Sequence, residues 1–380
     1  MKDFAERFHL RNPSRGFEVA PWDPEDAKIY FGDKKLDQQL RNRIEAGYSL
    51  GRPPKIYLHG RWGAGKTHHL YHLRYVLESG GLGSLKDFVA PYLQVECEDD
   101  TNFQYLHKKM LNALGIDVVK GAVSDFLMSH GGADRAEAQK AMFESSNLTI
   151  ATQVLSIGDD QLAWKWMSGE KLGSTELRSL NVTSNLEDTS ELVDVLVRIG
   201  RLLKSQGTNV LFFIDEAEGL KNVTKPNAQS SWHDGMKNLA DNVNNSIGYV
   251  VAIFVDSNNP SPEFINEDDI LRRMGQKNVV VLEPYSEADE VLPFLIDLVA
   301  ARIDVASVSP SGAPPDPSYP FTEDGLGLFV NELLNGAVSA TPSKIIEGLS
   351  ECAWEAHVRD EDVITDAVVQ EVMPRVTAAI

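Results

Sequence analysis

The stretch that decides the fold reads Lys55-Ile56-Tyr57-Leu58-His59-Gly60-Arg61-Trp62-Gly63-Ala64-Gly65-Lys66-Thr67. Its first half is a short apolar run that ends at a glycine, which is typical of a buried strand. Its second half is the pattern G-x-x-x-x-G-K-T, and apolar residues then recur at the spacing of one helix face, at Leu70, Leu73, Val76 and Leu77. The sequence therefore predicts a strand, a glycine loop and a helix N-terminus in the order that a phosphate-binding loop requires.

The residue types of this loop suit phosphate chemistry. Backbone N–H groups of the loop and the first helical turn converge on an anion, and the helix dipole adds partial positive charge. Gly60, Gly63 and Gly65 allow a close approach of the backbone or a positive φ. Lys66 is placed to reach the β- and γ-phosphates, and the Thr67 hydroxyl is a ligand for Mg²⁺. We therefore predict binding of a nucleoside triphosphate with Mg²⁺; the alternative is a glycine turn followed by a chance Lys-Thr pair.

Composition describes an ordinary globular protein of 380 residues, 42% hydrophobic and 24% charged, with room for two or three domains. The two cysteines, Cys97 and Cys352, lie far apart without metal-ligand spacing. The N-terminus is not a signal peptide, and no apolar run approaches the ~20 residues of a membrane span. We therefore expect a reduced, cytoplasmic protein without a membrane partner. The net charge of −20 argues against a surface that coats nucleic acid, although a small basic patch lining the pore of an oligomer is compatible with it.

The rest of the chain predicts an α/β fold, with a parallel sheet covered by helices. Continuous apolar runs at 210–214, 249–255 and 279–282 are typical of strands buried on both faces, and alternation over 92–97 indicates another strand. Helical patterns separate these runs, which favours parallel crossovers. The fold class predicted is a P-loop NTPase with a helical insertion and a C-terminal helical lid.

Three segments are predicted along the chain. Residues 1–54 form a lead-in, 55–285 the nucleotide-binding core, and 286–380 the helical lid domain. The core carries a helical insertion at about 120–186, and insertions on a conventional core are common sites of partner binding. In the lid, Ser286 is expected to cap a helix that Pro293 kinks near its start, and Thr341-Pro342 is expected to begin another.

Candidate catalytic residues follow the predicted strands. Asp215 ends the run at 210–214, where it could bind the Mg²⁺ held by Thr67, and Glu216 is placed to polarise the attacking water. The alternative is two solvated carboxylates that cap a helix; Glu218 is predicted to be a surface residue. After the next strand, Ser257 and Asn258 are placed to contact the γ-phosphate or the water.

Five further residues have more than one open interpretation each. Arg272 and Arg273 precede the strand at 279–282, where an arginine reaches a neighbouring subunit's site, or they form a surface pair. Phe31, in an aromatic-glycine turn of the lead-in, would cover an adenine ring or serve as a packing residue. His68 and His69 would be metal ligands, or they would have a helical packing or partner-facing role; no third ligand is apparent.

These pieces, in this order, resemble the AAA+ superfamily of ATPases from about Tyr30 to the C-terminus. Positions 60–67 resemble Walker A, which implies ATP contacts for the loop and the adjoining His68 (Gly60, Arg61, Trp62, Gly63, Ala64, Gly65, Lys66, Thr67). Positions 212–216 resemble Walker B, Asn258 resembles sensor 1, and Arg272 or Arg273 lies where the arginine finger usually lies. The resemblance implies ATP-dependent homo-oligomers, often rings or filaments, that move or license a partner.

One departure concerns the lid. Positions 341–344 lie where the lid helix of the superfamily supplies sensor 2, and Lys344 replaces the expected arginine. Because lysine cannot grip a phosphate bidentately, strong coupling of the lid to phosphate through this residue is not expected.

The initiator-like branch, which includes Orc/Cdc6 and the transposition regulator TnsC, is the nearest likeness within the superfamily. Positions 65–70 (Gly-Lys-Thr-His-His-Leu) and 166–170 (Trp-Met-Ser-Gly-Glu) also resemble ATP-binding proteins of bacterial anti-phage systems such as BREX. Initiators carry a C-terminal winged helix, whereas this chain ends just after the lid, so a dedicated DNA-reading domain is expected to be missing.

Three functions remain open from sequence. The first is a regulatory ATPase that assembles on a protein effector or DNA in defence or mobile-element biology. The second is a DNA-loading ATPase that polymerises on duplex DNA, and steep salt dependence would mark it. The third is a scaffold that holds ATP without hydrolysing it. The acidic charge favours protein partners.

Overall fold

A computed structural model of the chain describes residues 2–83, 85–130, 133–242, 246–256, 260, 262, 264, 268–275, 278–308 and 318–378. The chain forms two compact units. The first contains Met1–Gln38, Gly60–His72 and Leu282–Ile380, and the second contains Gln39–His59 and Leu73–Val281. The glycine loop is grouped with the lead-in and the lid in the first unit. The three consecutive segments at 1–54, 55–285 and 286–380 stay a prediction.

The sheet belongs mainly to the second unit. Its strands are β1 (Lys55–Gly60), β2 (Phe88–Val89), β3 (Tyr92–Gln94), β4 (Asn209–Asp215), β5 (Ile247–Phe254) and β6 (Val279–Leu282). Their order is β2-β4-β5-β1-β6, and β3 also pairs with β4. Parallel pairing places Phe212 beside Tyr249, and every residue of β4 and β5 is buried, as the continuous apolar runs predicted. The predicted strand at 92–97 is shorter in the structure and ends at Gln94.

The helices follow in chain order. They are α1 (Phe4–Arg7), α2 (Pro24–Lys28), α3 (Lys34–Ser49), α4 (Lys66–Gly80), α5 (Phe103–Leu114), α6 (Ile116–Ser129), α7 (Ala133–Phe143), α8 (Ser146–Ile157), α9 (Asp160–Met167), α10 (Ser174–Leu180), α11 (Thr189–Ser205), α12 (Pro226–Asn242), α13 (Asp268–Met274), α14 (Ala288–Arg302), α15 (Val305–Val308), α16 (Glu323–Asn335), α17 (Pro342–Val358) and α18 (Asp366–Val376), with a 3₁₀ helix at Ala217–Asn222. Within the described ranges, no helix has both the length and the apolar character that crossing a membrane requires.

The apolar core of the second unit includes helices of the predicted insertion and the helix that follows it. Helix α11 begins with a capping box between Asp188 and Glu191, and its apolar stripe, including Leu196 and Leu203, is buried. Trp166 of α9 is only 1% exposed in the same apolar cluster. Burial of a large apolar side chain contributes roughly 1.5–3 kcal/mol, so Trp166 is a packing residue.

The first unit has its own apolar core, formed by the lid helices and the lead-in. Phe8 and Phe31 of the lead-in lie in one cluster with Phe294 of α14. The N-cap of helix α14 is Glu287, whose backbone N–H donates to the side chain of Glu290. The predicted cap at Ser286 is therefore one residue too early. Pro293 lies inside the continuous helix.

Candidate functional site

The glycine loop connects β1 to α4 with a backbone that requires glycine. Gly63 has φ +73° and Gly65 has φ +88°, values that residues with a Cβ rarely adopt. Helix α4 starts at Lys66, and the His69 N–H donates to the Gly65 carbonyl at 2.9 Å. The loop therefore delivers its backbone to the N-terminus of a 15-residue helix, which is a site for anions.

Lys66 is buried against the loop that it follows. Its Nζ donates to the Gly60 carbonyl at 3.0 Å and to the Arg61 carbonyl at 3.1 Å. The adjoining Thr67 is half-buried. The ammonium group is thus held over the loop, where it is available to an anion at the helix N-terminus.

The N-terminus of the lid helix α17 lies on this loop within the first unit. The Ser343 N–H donates to the Gly63 carbonyl at 3.2 Å. A Cβ on Gly63 would lie 2.6 Å from Ser343 Cβ and 3.0 Å from Thr341 Oγ1, so only glycine fits there. Beside it, Arg61 Nη1 donates to Ser339 Oγ at 2.8 Å, and Trp62 is 70% exposed.

Lys344, the residue at the sensor 2 position, is engaged within the lid. Its Nζ lies 2.8 Å from a carboxylate oxygen of Glu347 and donates to the Val376 carbonyl at 3.3 Å. Both partners are on lid helices, α17 and α18. The structure therefore gives Lys344 a local role, and its predicted contact with nucleotide stays a prediction.

Phe31 and His68 make packing contacts. Phe31 is 4% exposed, its ring lies 6.3 Å from that of Phe294, and the Arg302 guanidinium lies 5.7 Å from its centroid. His68 Nε2 donates to the Ile29 carbonyl at 3.0 Å. Burial, followed by the charge of His72, lowers the pKa of His68 to about 4, so the ring is neutral at pH 7.

The described residues contain no group of three or more His, Cys, Asp or Glu side chains that could hold a metal. The interpretations of His68 as a metal ligand or as a packing residue both stay predictions. A divalent cation at this kind of site would have to take most of its ligands from phosphate oxygens and water, as Mg²⁺ usually does.

Asp215 and Glu216, in the second unit, end β4 with different environments. Asp215 is 2% exposed; one carboxylate oxygen accepts from the Tyr92 hydroxyl at 2.8 Å and the other from the Glu216 N–H at 2.9 Å. Tyr92 comes from β3, which pairs with β4 so that Gln94 lies beside Asp215. The hydrogen bond from Tyr92 to Asp215 was not predicted from the sequence. It depends on the register in which β3 pairs with β4.

Glu216 has a left-handed backbone, with φ +56° and ψ +31°, and an exposed side chain. Partial burial, and then the negative charges of Asp215, Glu218 and Glu96, raise its pKa above the ordinary value of 4.5. Glu218 is half-buried and accepts from the Phe254 N–H at 3.2 Å, so the prediction of a surface residue was wrong. The end of β4 is thus a cluster of carboxylates with one exposed member, Glu216, whose pKa is raised.

The two candidate finger arginines differ in their surroundings. Arg273 Nη1 forms an ion pair with Asp241 at the end of α12. The preceding residue, Ala240, accepts from the Lys55 ammonium, whose pKa burial lowers to about 8. Lys55 begins β1, so this cluster lies at the amino edge of the parallel sheet, opposite the carboxyl edge where Asp215 lies.

Arg272 is exposed on α13, and no ion pair involves it within the part of the chain that is described. Of the two arginines, it is the one whose side chain faces solvent. Ser257 and Asn258, the predicted γ-phosphate contacts, lie outside the described residues.

No profile of a known protein family matches this chain, and no curated protein is similar to it. Solved structures do resemble it. The Aeropyrum pernix ORC2 protein, in its ADPNP–ADP complexes, is 12% identical over 94% of this chain and 72% of its own, with a TM-score of 0.50. CDC6P from Pyrobaculum aerophilum is 17% identical over 98% of this chain and 73% of its own, with a TM-score of 0.45.

At these sequence identities the similarity shows the fold alone. The assignment of the fold rests on the ORC2 structure, with its TM-score of 0.50. The chain has a parallel-sheet α/β fold of the P-loop NTPase type, similar to that of the ORC2 structure. This confirms the fold class that the glycine loop and the apolar runs predicted.

Proposed function

We propose that this protein is an ATPase that uses ATP binding and hydrolysis as an assembly switch and so controls a partner. The observation that carries the proposal is the loop between β1 and α4. Two left-handed glycines, a helix N-terminus and the Lys66 ammonium meet there in the first unit. Few ligands other than a polyphosphate require all three.

Each candidate residue has a proposed role. Lys66 and the loop amides bind the phosphates, and the Thr67 hydroxyl and the Asp215 carboxylate supply the hard oxygen ligands that Mg²⁺ prefers. Glu216 accepts a proton from the attacking water, a role that its raised pKa supports. Asn258 contacts the γ-phosphate.

Arg272 is proposed as the finger that acts on a neighbouring subunit, so the active form is a homo-oligomer. Its exposure supports this assignment over Arg273, which is paired with Asp241 in its own chain. An arginine that stabilises transition-state charge must be free of competing carboxylates until the neighbour's phosphate is present.

The proposed partner is a protein effector, in bacterial defence or mobile-element biology. The net charge of −20 supports a protein partner over extended duplex DNA, because an acidic surface repels phosphates. The resemblance of positions 65–70 and 166–170 to BREX-type proteins supports the biological setting.

Two variants test the catalytic proposal. Lys66→Ala should weaken ATP binding by about a hundredfold or more, since it removes a buried charge-assisted contact. Glu216→Gln should bind ATP normally and hydrolyse it about 10²–10⁴ times more slowly. Calorimetric titration and phosphate release measure both, with Lys120→Ala, a lysine paired with Asp160, as the control. Unchanged binding and turnover in Lys66→Ala would end the proposal.

Assembly is tested by light scattering and by mixing. The Glu216→Gln protein should gain mass with ATP and Mg²⁺; a gain that requires duplex DNA would instead favour the DNA-loading function. Glu216→Gln and Arg272→Ala should each be inactive alone and regain turnover when mixed, because one supplies the arginine and the other the base. Arg273→Ala serves as the matched control. Mixed assemblies that form but stay inactive would exclude Arg272 as the finger.

A further inference from the structure

Arg61 connects the phosphate-binding loop to the lid. We infer that Arg61, through Ser339, transmits phosphate binding at Lys66 to the N-terminus of the lid helix α17, in place of the arginine that Lys344 replaces. The inference rests on the proposed binding of ATP at Lys66. It assigns a positioning role to a loop side chain that phosphate binding itself does not need.

The first step is the contact between Lys66 and the Arg61 backbone. The Lys66 ammonium donates to the Arg61 carbonyl at 3.1 Å and to the Gly60 carbonyl at 3.0 Å. An ammonium group has three donors. When they turn to phosphate oxygens, the carbonyls at 60 and 61 lose charge-assisted bonds. The Arg61 carbonyl keeps the longer bond from the Ala64 N–H at 3.3 Å, so the peptide that follows Arg61 is held less tightly and its orientation can change.

The second step is the contact between the Arg61 side chain and the lid. Arg61 Nη1 donates to Ser339 Oγ at 2.8 Å. The segment that contains Ser339 is held to the lid on both sides, because the Val338 N–H donates to the Thr377 carbonyl at 3.2 Å and the Tyr285 N–H to the Ala340 carbonyl at 2.8 Å. A displacement of Ser339 therefore moves the whole start of α17.

A second contact between the loop and the lid favours their moving together. The Ser343 N–H donates to the Gly63 carbonyl at 3.2 Å, and the approach is so close that a Cβ on Gly63 would clash. The loop thus contacts the lid at Arg61 and again at Gly63. A closely packed interface of this kind responds to a loop displacement as a unit and does not deform gradually.

The alternative route through Lys344 is occupied. Its ammonium lies 2.8 Å from Glu347 and donates to the Val376 carbonyl, both within the lid. Lysine also lacks the planar fork with which arginine connects two groups. The arginine expected at sensor 2 would lie on the lid helix. In this chain the connecting arginine, Arg61, lies on the loop, and its hydroxyl partner, Ser339, lies on the lid.

Amide hydrogen exchange of residues 338–345, measured with and without saturating ATPγS, tests the inference. Ser339→Ala is the main variant, because Ser339 lies outside the phosphate-binding loop. It should speed exchange of this segment by about fivefold without nucleotide, the effect of one lost hydrogen bond. It should also remove most of the change that ATPγS causes in the wild type, while ATP affinity stays within about threefold.

Further variants separate the inference from simple loosening of the lid. At saturating nucleotide, Arg61→Ala should lose as much of the exchange response to ATPγS as Ser339→Ala does. The double variant should lose no more of this response, and Arg61→Lys should recover part of it. Lys344→Ala should respond like the wild type. A response that survives in Ser339→Ala, or that disappears in Lys344→Ala, overturns the inference and leaves the ATPase proposal intact. A wild type that does not bind ATPγS overturns the ATPase proposal itself.

Discussion

Two turns in this molecule follow a buried strand and adopt a left-handed backbone, and they do so with different residues. After β1, the left-handed positions are Gly63 and Gly65, where φ values of +73° and +88° carry no steric penalty. After β4, the left-handed position is Glu216, with φ +56°. A residue with a Cβ in this region costs about 1 kcal/mol or more.

The difference indicates what each turn is for. The loop after β1 needs bare backbone at Gly63, because the close lid contact leaves no space for a Cβ there. The turn after β4 retains a carboxylate in a strained position, next to Asp215, whose side chain accepts from the Glu216 N–H. Strain that persists beside a cluster of titratable groups points to a functional side chain.

The largest effect is expected from removing the freedom of glycine at 63. Gly63→Ala combines a left-handed Cβ with overlap against Ser343 and Thr341, so it should lower the free energy of unfolding by about 2–4 kcal/mol. Gly65→Ala is the matched control, because its Cβ would lie 3.8 Å from Pro342 and only the backbone term of about 1 kcal/mol applies. Chemical unfolding without nucleotide measures both; equal losses would contradict the close lid contact.

At the other turn, a glycine should be tolerated or even stabilising. Glu216→Gly relieves the left-handed strain, so its free energy of unfolding should exceed that of Glu216→Ala by about 1 kcal/mol, the reverse of the usual order of these residues. Both variants should lose hydrolysis. If Glu216→Ala is the more stable of the two, the backbone at 216 is not strained and the contrast with Gly63 fails.

Local patterns were sufficient to predict the elements that carry the site. The apolar run at 210–214 lies in β4, and the run at 249–255 lies in β5 except for its last residue. The loop residues lie between β1 and α4. Such elements are predictable because burial and helix periodicity are properties of neighbouring residues. The cap of α14 was placed one residue too early, since Ser286 and Glu287 both precede a suitable Glu290.

Contacts between distant parts of the chain were not predictable in this way. The Tyr92 hydroxyl reaches Asp215 only because β3 pairs with β4 in one register, and Arg61 reaches Ser339 because the lid folds back on the loop. The pair of arginines at 272 and 273 was symmetrical in sequence, and two features of the structure distinguish them: the exposure of Arg272 and the contact of Arg273 with Asp241. Charge partners of this kind are set by tertiary packing, which spacing along one chain does not encode.

The smallest expected effect concerns the protonation of Glu216. It tests the contrast between the turn after β4, whose left-handed residue carries a carboxylate, and the loop after β1, whose left-handed residues are glycines. The pKa of Glu216 is raised by partial burial and by neighbouring carboxylates, including Glu218. Because hydrolysis needs ionised Glu216, turnover should fall as the pH is lowered. The midpoint of this fall should lie above the pKa of an ordinary glutamate. The native state also holds this proton more tightly than the unfolded chain, so ionisation of Glu216 slightly destabilises the fold as the pH rises through its raised pKa.

Glu218→Gln removes one negative charge and keeps an oxygen for the Phe254 N–H. The acid limb of the pH–kcat profile should therefore move to lower pH, with a smaller shift in Glu96→Gln, whose charge contributes less. Glu137→Gln, an exposed residue on α7, is the control. Steady-state phosphate release over a pH series measures the limb. A profile unchanged in Glu218→Gln, with normal activity at pH 8, would mean that the titrating group is not Glu216, and the base would have to be sought elsewhere in the carboxylate cluster.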